Sequence, residues 1–268
     1  NIGTLAVNGT VNDIAVSGAV PLYLTAGFII EEGFPVSELL LIVESMARAA
    51  EEAGVRVVTG DTKVVNKGKG DGVFINTAGV GVLEEGVNIS PLLIKEGEIV
   101  LLNGEIGAHG TCIMAARNGL TFATPLLSDC RPLNGLVQLM IKSADVHFMR
   151  DCTRGGIAAT LKEAATASGK SIKIKESSIP AAPQVRGACE LLGLDPMYIA
   201  NEGILAAVVD KSGAEALITR MKSHPYGLNS AVIGEVVSGP PGLVTIETNI
   251  GGTRLMDMPL YEQLPRIC

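Results

Sequence analysis

Residues 9–19 read Gly-Thr-Val-Asn-Asp-Ile-Ala-Val-Ser-Gly-Ala and contain Asp13, the single charged side chain in the first thirty residues. The first thirty residues are otherwise uncharged and mostly apolar. An apolar stretch of thirty residues predicts buried secondary structure, a helix and a strand in a tightly packed domain. Glycine and proline interrupt the stretch and no basic residues precede it, which argues against a membrane span. A carboxylate in such surroundings needs a hydrogen-bond partner, a counter-charge or a metal ion.

Asp13 has two interpretations at this stage. Under the first, Asn12-Asp13 caps a helix that begins near Ile14, which suits both residue types. Under the second, Asp13 is a functional carboxylate. The two interpretations are compatible, so both remain open.

The composition limits the classes of partner. The chain has 268 residues and a net charge of −7, with four Tyr, five Phe and no Trp. This length suits two domains, and the negative net charge with few aromatic residues argues against nucleic acid as a partner.

The five cysteines are odd in number and form no C-x-x-C pair. A disulfide framework or zinc site is therefore not expected, and the cytoplasm is the expected compartment.

Apolar and β-branched runs predict strands at 73–82, 98–102, 171–175, 204–209, 231–237 and 244–247. Strand and helix patterns mix along the chain without strict alternation, which predicts an α+β, or mixed α/β, fold. A break in the pattern at 91–97 predicts a domain boundary. We therefore expect an N-terminal domain at 1–96, a C-terminal domain at 97–258 and an extended tail at 259–268, where two prolines occur without periodicity.

Gly60-Asp61-Thr62-Lys63 follows a predicted strand at 55–59, at a position where loops often bind ligands. An acid for Mg²⁺, a hydroxyl donor and a lysine are what a metal-bound phosphate requires. A common Gly-Asp turn beside an exposed lysine is the alternative. Asp13 favours the functional interpretation, because Mg²⁺ sites often combine one or two carboxylates with substrate phosphates.

Residues 150–156 read Arg-Asp-Cys-Thr-Arg-Gly-Gly and place an acid, a hydroxyl and two arginines at a predicted helix start. A helix N-terminus favours anions, so this is a candidate phosphate contact. The alternative is that Asp151 or Thr153 is a plain N-cap.

Two further residues are candidates for chemistry. Glu202, in Asn201-Glu202-Gly203, precedes an apolar strand and is either a turn residue or a general base that faces a cleft. Cys268 ends a proline-containing tail that can extend to roughly 33 Å. Its thiol is either incidental or functional.

Together these motifs, in this order and with the terminal Pro265-Arg-Ile-Cys268, resemble the HypE family of hydrogenase-maturation proteins. The likeness runs nearly end to end, and the terminal tetrapeptide is its most specific part. The first three motifs are also similar to those of the wider ATP-binding superfamily of aminoimidazole ribonucleotide synthetase, thiamine monophosphate kinase and selenophosphate synthetase. Those relatives do not end in this tail.

The resemblance implies a two-domain PurM-like fold, with an N-terminal ATP-binding domain that forms a dimeric β-barrel in a homodimer and a C-terminal α/β domain. It implies an ATP-dependent carbamoyl dehydratase that converts an S-carbamoyl group on Cys268 into a thiocyanate. The cyanide then goes to the iron of the [NiFe]-hydrogenase centre. ATP and Mg²⁺ are the implied cofactors. The carbamoyltransferase HypF and the HypC–HypD scaffold complex are the implied partners, and neither nucleic acid nor a membrane is expected.

The resemblance also implies roles for particular residues. Those implied to be catalytic are Cys268, Lys63 and Glu202. Those implied to bind the nucleotide, its phosphates or the tail are Asn12, Asp13, Asp61, Thr62, Asp151, Thr153 and Arg154. Asp13 and Asp61 would hold Mg²⁺, Lys63 would offset charge as the phosphoryl group moves, and Glu202 would remove an N–H proton.

Members of this family carry further N-terminal sequence, including a Gly-rich loop and another acidic residue that help to hold the nucleotide. The resemblance therefore implies that the first domain is shortened at its start. Two rival functions remain at this stage. One is a non-catalytic carrier or docking fragment, and the other is a different ATP-dependent synthetase or kinase of the same superfamily.

Overall fold

The fold is seen in a computed structural model that describes residues 1–119 and 125–258. Cys268 and the predicted tail at 259–268 therefore lie outside the described residues. The α-helices are α1 (Ile2–Val16), α2 (Val36–Ala53), α3 (Ala108–Arg117), α4 (Asn134–Ile141), α5 (Gly156–Ser168), α6 (Pro183–Leu192) and α7 (Ala214–Met221). The strands are β1 (Val20–Glu31), β2 (Arg56–Val65), β3 (Val73–Val82), β4 (Ile99–Leu102), β5 (Val146–Asp151), β6 (Ser171–Lys175), β7 (Leu205–Val209), β8 (Ala231–Val237), β9 (Val244–Glu247) and β10 (Thr253–Leu255).

The first apolar stretch forms α1 followed by β1, so the predicted helix start near Ile14 is wrong. Helix α1 begins at Ile2, where the Asn1 side chain accepts a hydrogen bond from the Gly3 amide at 3.1 Å. Asp13 therefore lies inside the helix, near its C-terminal end, and does not cap it. Its apolar surroundings arise because α1 joins two cores, one with the small sheet and one with the large sheet.

The small sheet has the strand order β2-β1-β3, with β1 parallel to β2 and antiparallel to β3. Helices α1 and α2 pack against it through a shared apolar core. Strand β2 is an edge of this sheet, and nearly all of its residues are exposed. An exposed edge strand of this length has unpaired backbone groups that a further strand could satisfy.

The Gly60-Asp61-Thr62-Lys63 motif lies within β2, so the prediction that it follows a strand as a loop is wrong. β-Branched residues on both sides of the motif favour the extended backbone. Gly60 permits the pairing with β1, because a Cβ atom at this position would meet the Ala26 carbonyl oxygen at 2.1 Å.

The large sheet has the order β10-β9-β6-β8-β4-β7-β5 among the described residues. Two separate apolar clusters contain alternating residues of its central strands, one cluster with α5 and one with α4 and α7. Strands β6, β8 and β9 have the predicted bounds, whereas β5 and α7 were not predicted.

Asp151 is the last residue of β5, and helix α5 begins at Gly156. The N-cap of α5 is Gly155, which has a left-handed backbone conformation and makes no side-chain cap. The alternative of a plain N-cap at Asp151 or Thr153 is therefore wrong, and neither side chain is occupied in capping this helix. Gly156 approaches the 197–199 segment so closely that a Cβ atom would meet the Met197 carbonyl oxygen at 2.5 Å.

Residues 83–98 connect the two sheets and are attached to β5. The Ser90 amide donates to the His147 carbonyl at 2.8 Å, and His147 Nδ1 lies 2.5 Å from Glu98 Oε1 in a buried pair. The predicted boundary at 96/97 falls in this connection and stays a prediction. In the described parts of the chain, no helix is both long and apolar enough to cross a membrane.

Candidate active site

Four acidic side chains from separate elements influence one another where α1 meets the large sheet. They come from α1, from the segment before α4, from the end of β5, and from the loop before β7, and they are Asp13, Asp129, Asp151 and Glu202. Like charges at such a place disfavour ionisation, and so does burial. The pKa values of all four acids are accordingly raised.

Glu202 is a strongly perturbed acid of this cluster. Its residue is 4% exposed, and its Oε1 atom has no hydrogen-bond partner among the described residues. Burial, followed by the charges of Asp129, Asp151 and Asp13, raises the pKa of Glu202 to about 8. A carboxyl group with such a pKa can accept and release a proton near neutral pH, which is the requirement for a general base.

The backbone around Glu202 is held by buried side chains. Asn12 Nδ2 donates to the Glu202 carbonyl at 3.2 Å and to the Arg131 carbonyl at 3.0 Å, and its Oδ1 accepts from the Leu133 amide at 2.7 Å. Through these three bonds Asn12 supports the backbone around Glu202, and its expected contact with phosphates stays a prediction.

Two more asparagines hold the same loop. Asn201 Nδ2 donates to the carbonyls of Cys152 and Ile199, at 2.8 and 3.0 Å, while its Oδ1 accepts from the Gly107 amide at 2.6 Å. Asn103 bridges the Gly203 carbonyl and the Leu205 amide, at 3.1 and 2.8 Å. The loop that carries Glu202 is therefore held by buried hydrogen bonds from three asparagine side chains.

Asp13 and Asp151 form the more accessible side of the cluster. Burial and the nearby charge of Asp151 raise the pKa of Asp13, and Arg150 partly offsets them. Burial also raises the pKa of Asp151, against the opposing effects of a backbone hydrogen bond, Arg150 and a hydrogen bond from Thr153. Thr153 thus borders the cluster, and the neighbouring Arg154 is exposed.

The structure does not bring Asp61, Thr62 and Lys63 to this cluster within one chain. All three are exposed on β2, and Asp61 Oδ1 accepts from the Thr62 amide at 2.8 Å. The charges that shift the pKa of Asp13 come from Asp151 and Arg150 on β5 rather than from β2. The predicted pairing of Asp13 with Asp61 is thus not formed by a single chain.

Asp129 belongs to the cluster and was missed by the sequence analysis. It is 3% exposed, and burial raises its pKa. A signal was present, because Asp129 is the single acidic residue between Glu105 and Asp145, much as Asp13 is in the first thirty residues. His109 is buried and lies beside it, with Nδ1 at 2.8 Å from Ser128 Oγ.

Comparisons with known proteins agree with this two-sheet fold. The family models for the AIR synthase related protein match residues 1–83 with the N-terminal domain and residues 95–246 with the C-terminal domain. The chain is therefore an AIR synthase related protein, and the predicted two-domain PurM-like fold is confirmed.

More similar relatives identify the family within this class of proteins. The carbamoyl dehydratase HypE of Rhizobium leguminosarum bv. viciae is 51% identical over 270 residues, which cover 100% of this chain and 77% of that protein. A solved HypE–HypF complex has a TM-score of 0.92 at 51% identity, over 97% of this chain and 85% of the solved one. A hydrogenase maturation protein HypE in complex with ATP has a TM-score of 0.96 at 45% identity, over 100% and 82%. The chain belongs to the HypE family of carbamoyl dehydratases.

The pKa of Glu202 predicts a pH dependence of stability. Folding raises this pKa from 4.5 to about 8, so the folded state holds a proton that the unfolded state releases between these values. The free energy of unfolding therefore falls as the pH rises from about 5 to about 8. In Glu202→Gln this fall should be smaller by roughly 2 to 5 kcal/mol. Urea unfolding between pH 5 and pH 9 measures the difference.

The matched control is Glu96→Gln, which changes an exposed glutamate and should keep the pH dependence of the wild type. If Glu202→Gln lost stability with pH as steeply as the wild type, Glu202 would not hold its proton in the folded state near neutral pH.

Proposed function

We propose that the protein dehydrates an S-carbamoyl group on Cys268 to a thiocyanate at the expense of ATP. The cyanide is then donated to the iron of the [NiFe]-hydrogenase centre. The observation that carries the proposal is the buried Glu202 carboxyl group, which has an unpartnered oxygen and a pKa of about 8, in a chain of the HypE family. Dehydration of an amide requires the removal of N–H protons, and Glu202 suits that task.

The reaction needs two steps because an amide oxygen is a poor leaving group. In the first, the carbamoyl oxygen bonds to the γ-phosphorus of ATP, the bond to the bridging oxygen of ADP breaks, and one N–H proton is released to water. In the second, the carbon–oxygen bond breaks, Glu202 accepts the remaining N–H proton, and phosphate leaves as the C≡N bond forms. Lys63 offsets negative charge during phosphoryl transfer, where catalysis is mostly positioning and electrostatics.

Carrying the substrate on Cys268 makes the first step effectively intramolecular once the tail reaches the site, which can lower the barrier by several kcal/mol. We assign the domains accordingly. Residues 1–96 form the ATP-binding and dimerisation domain, 97–258 the α/β domain, and 259–268 the carrier tail. Asp151, Thr153 and Arg154 line the entry for the tail or the phosphate.

The residues fit a Mg²⁺ ion only in part within one chain. Asp13 supplies a hard oxygen ligand in a cluster of acidic side chains whose pKa values are raised by burial, and the charge of Asp151 adds to this effect at Asp13. In the described ranges, however, no group of three or more His, Cys, Asp or Glu residues is arranged to hold a metal. Mg²⁺, which neutralises phosphate charge when bound, would be held by Asp13, Asp61 and the phosphates of ATP.

Asp61 reaches such a site most simply from a second subunit. Strand β2 has an exposed edge, and pairing of this edge with its copy satisfies backbone groups on both chains, as in the closed dimeric β-barrel that we propose. In this homodimer, Asp61, Thr62 and Lys63 of one protomer complete the site built around Asp13 and Glu202 of the other.

The proposed partners follow from the family. A HypE relative forms a complex with HypF, and another is solved in complex with ATP. We propose HypF as the enzyme that loads Cys268, and the HypC–HypD scaffold as the acceptor of cyanide. These partners and the cysteine-based chemistry suit the cytoplasm.

The carrier role of Cys268 is tested by Cys268→Ala. The variant should bind ATP with the affinity of the wild type in calorimetry, but turnover of ATP in the presence of HypF and a carbamoyl donor should fall to background. The control is Cys189→Ala, which removes a buried thiol and should keep turnover. Formation of cyanide by Cys268→Ala would contradict the proposal.

The shared site is tested by mixing two variants, Asp13→Asn and Lys63→Ala, each of which should be inactive alone. Random reassociation of equal amounts makes half of the dimers mixed, and each mixed dimer has one intact site. Activity should therefore return to about one quarter of the wild-type level. No recovery after subunit exchange, verified by native mass spectrometry, would show that each site is built from one chain.

A further inference from the structure

Apart from its effect on the pKa of Glu202, the buried carboxyl group of Asp129 has no part in the mechanism given above. Three backbone amides converge on it from two separate segments. The His109 amide donates to Oδ1 at 2.9 Å, and the amides of Glu202 and Gly203 both donate to Oδ2 at 3.2 Å. One side chain thus connects the start of helix α3 to the loop that carries Glu202.

The location offsets part of the cost of burying this group. Hydrogen bonds from backbone amides stabilise a carboxylate, and so does the positive end of a helix dipole. His109 is the second residue of α3, so Oδ1 faces the N-terminal end of that helix. The helix and the loop therefore share one acceptor, and a shift of Asp129 would displace both.

The fit between Asp129 and the loop is close. A Cβ atom on Gly203 would meet the Asp129 carbonyl oxygen at 1.9 Å, so a larger residue at 203 could not be accommodated without a shift of the backbone. Among the described residues, no group forms a hydrogen bond with Oε1 of Glu202. The direction of the Glu202 carboxyl group therefore depends on its backbone, on which Asp129 acts directly at two consecutive amides.

We propose that Asp129 is the positioning residue of Glu202, because it fixes the loop backbone that directs the Glu202 carboxyl group at the reacting N–H group. Asp129 does not touch the substrate in this account. The proposal rests on the role of Glu202 given under the proposed function, and it extends that role to a residue that no family motif on the page contains.

Asp129→Asn tests the proposal, since it keeps the shape but replaces one acceptor oxygen by a donor that cannot pair with an amide. A misdirected general base should lower kcat by about 100-fold or more, while the KM for ATP stays within about twofold. The control is Asp195→Asn, which removes a carboxylate that accepts from the Met197 amide at 3.0 Å and pairs with Arg254 at 2.9 Å. It should keep kcat.

A double variant separates positioning from a general structural role. If Asp129 acts through Glu202, adding Asp129→Asn to Glu202→Gln should leave kcat within about twofold of Glu202→Gln alone. Losses that multiply in the double variant would overturn the proposal. A kcat of Asp129→Asn near that of the wild type would overturn it too.

Hydrogen exchange gives a readout that does not need turnover. In Asp129→Asn, the amides of Glu202 and Gly203 should exchange at least about tenfold faster, whereas Asp195→Asn should leave them unchanged. Unchanged exchange at both amides overturns the proposal. If Glu202→Gln kept full kcat, Glu202 would not be the general base and the proposed function would be wrong on this point. The exchange rates of the Glu202 and Gly203 amides would then be the test of whether Asp129 holds the loop.

Should Asp129→Asn not fold, the same measurements apply to Asp129→Glu, which keeps the carboxylate and adds one methylene group. The longer side chain should displace the loop and lower kcat, with the KM for ATP unchanged. Wild-type kcat in Asp129→Glu would overturn the proposal.

Discussion

The burial of acidic groups around the 201–203 loop is the constraint on which this structure depends. Glu202 and Asp129 are almost fully removed from solvent, and Asp13 and Asp151 lie close enough to raise the pKa of Glu202. Such a cluster is costly to bury. Three backbone amides donate to Asp129, while Oε1 of Glu202 has no hydrogen-bond partner in the part of the chain that the structure describes. The same features that make the cluster costly to bury suit it to the proton transfer and the Mg²⁺ binding that we propose.

The two sheets are joined in a way that serves this site. Helix α1 is apolar on two sides because it belongs to both cores, and it brings Asn12 and Asp13 to the end of β5. Asn12 then connects the helix to the Glu202 carbonyl. A change in the packing of α1 would consequently alter both the accessible acid and the buried base.

Residue patterns predicted much of the fold but only part of the site. Asp13 was identifiable as a lone charge, and strands β3, β6, β8 and β9 have their predicted bounds. The Asp61 motif and the Asp151 segment were misplaced because strand pairing, rather than local propensity, decides where β2 and β5 end. Asp129 could not be recognised from spacing, since its partners are backbone amides far away in the chain. The assignment of Lys63 and Cys268 depends on family resemblance.

In this account, one chain supplies the base and the accessible acid, the exposed edge of β2 supplies the lysine to a second copy, and Cys268 carries the reacting group to the site. The central claim is that the chemistry takes place on Cys268. Mass spectrometry of the C-terminal peptide, after incubation with HypF, a carbamoyl donor and ATP, tests it most directly. The account predicts that Cys268 gains the mass of one carbamoyl group and then loses the mass of one water molecule. A carbamoylated peptide that never loses water while ATP is consumed, or an unmodified Cys268 under turnover, would contradict it.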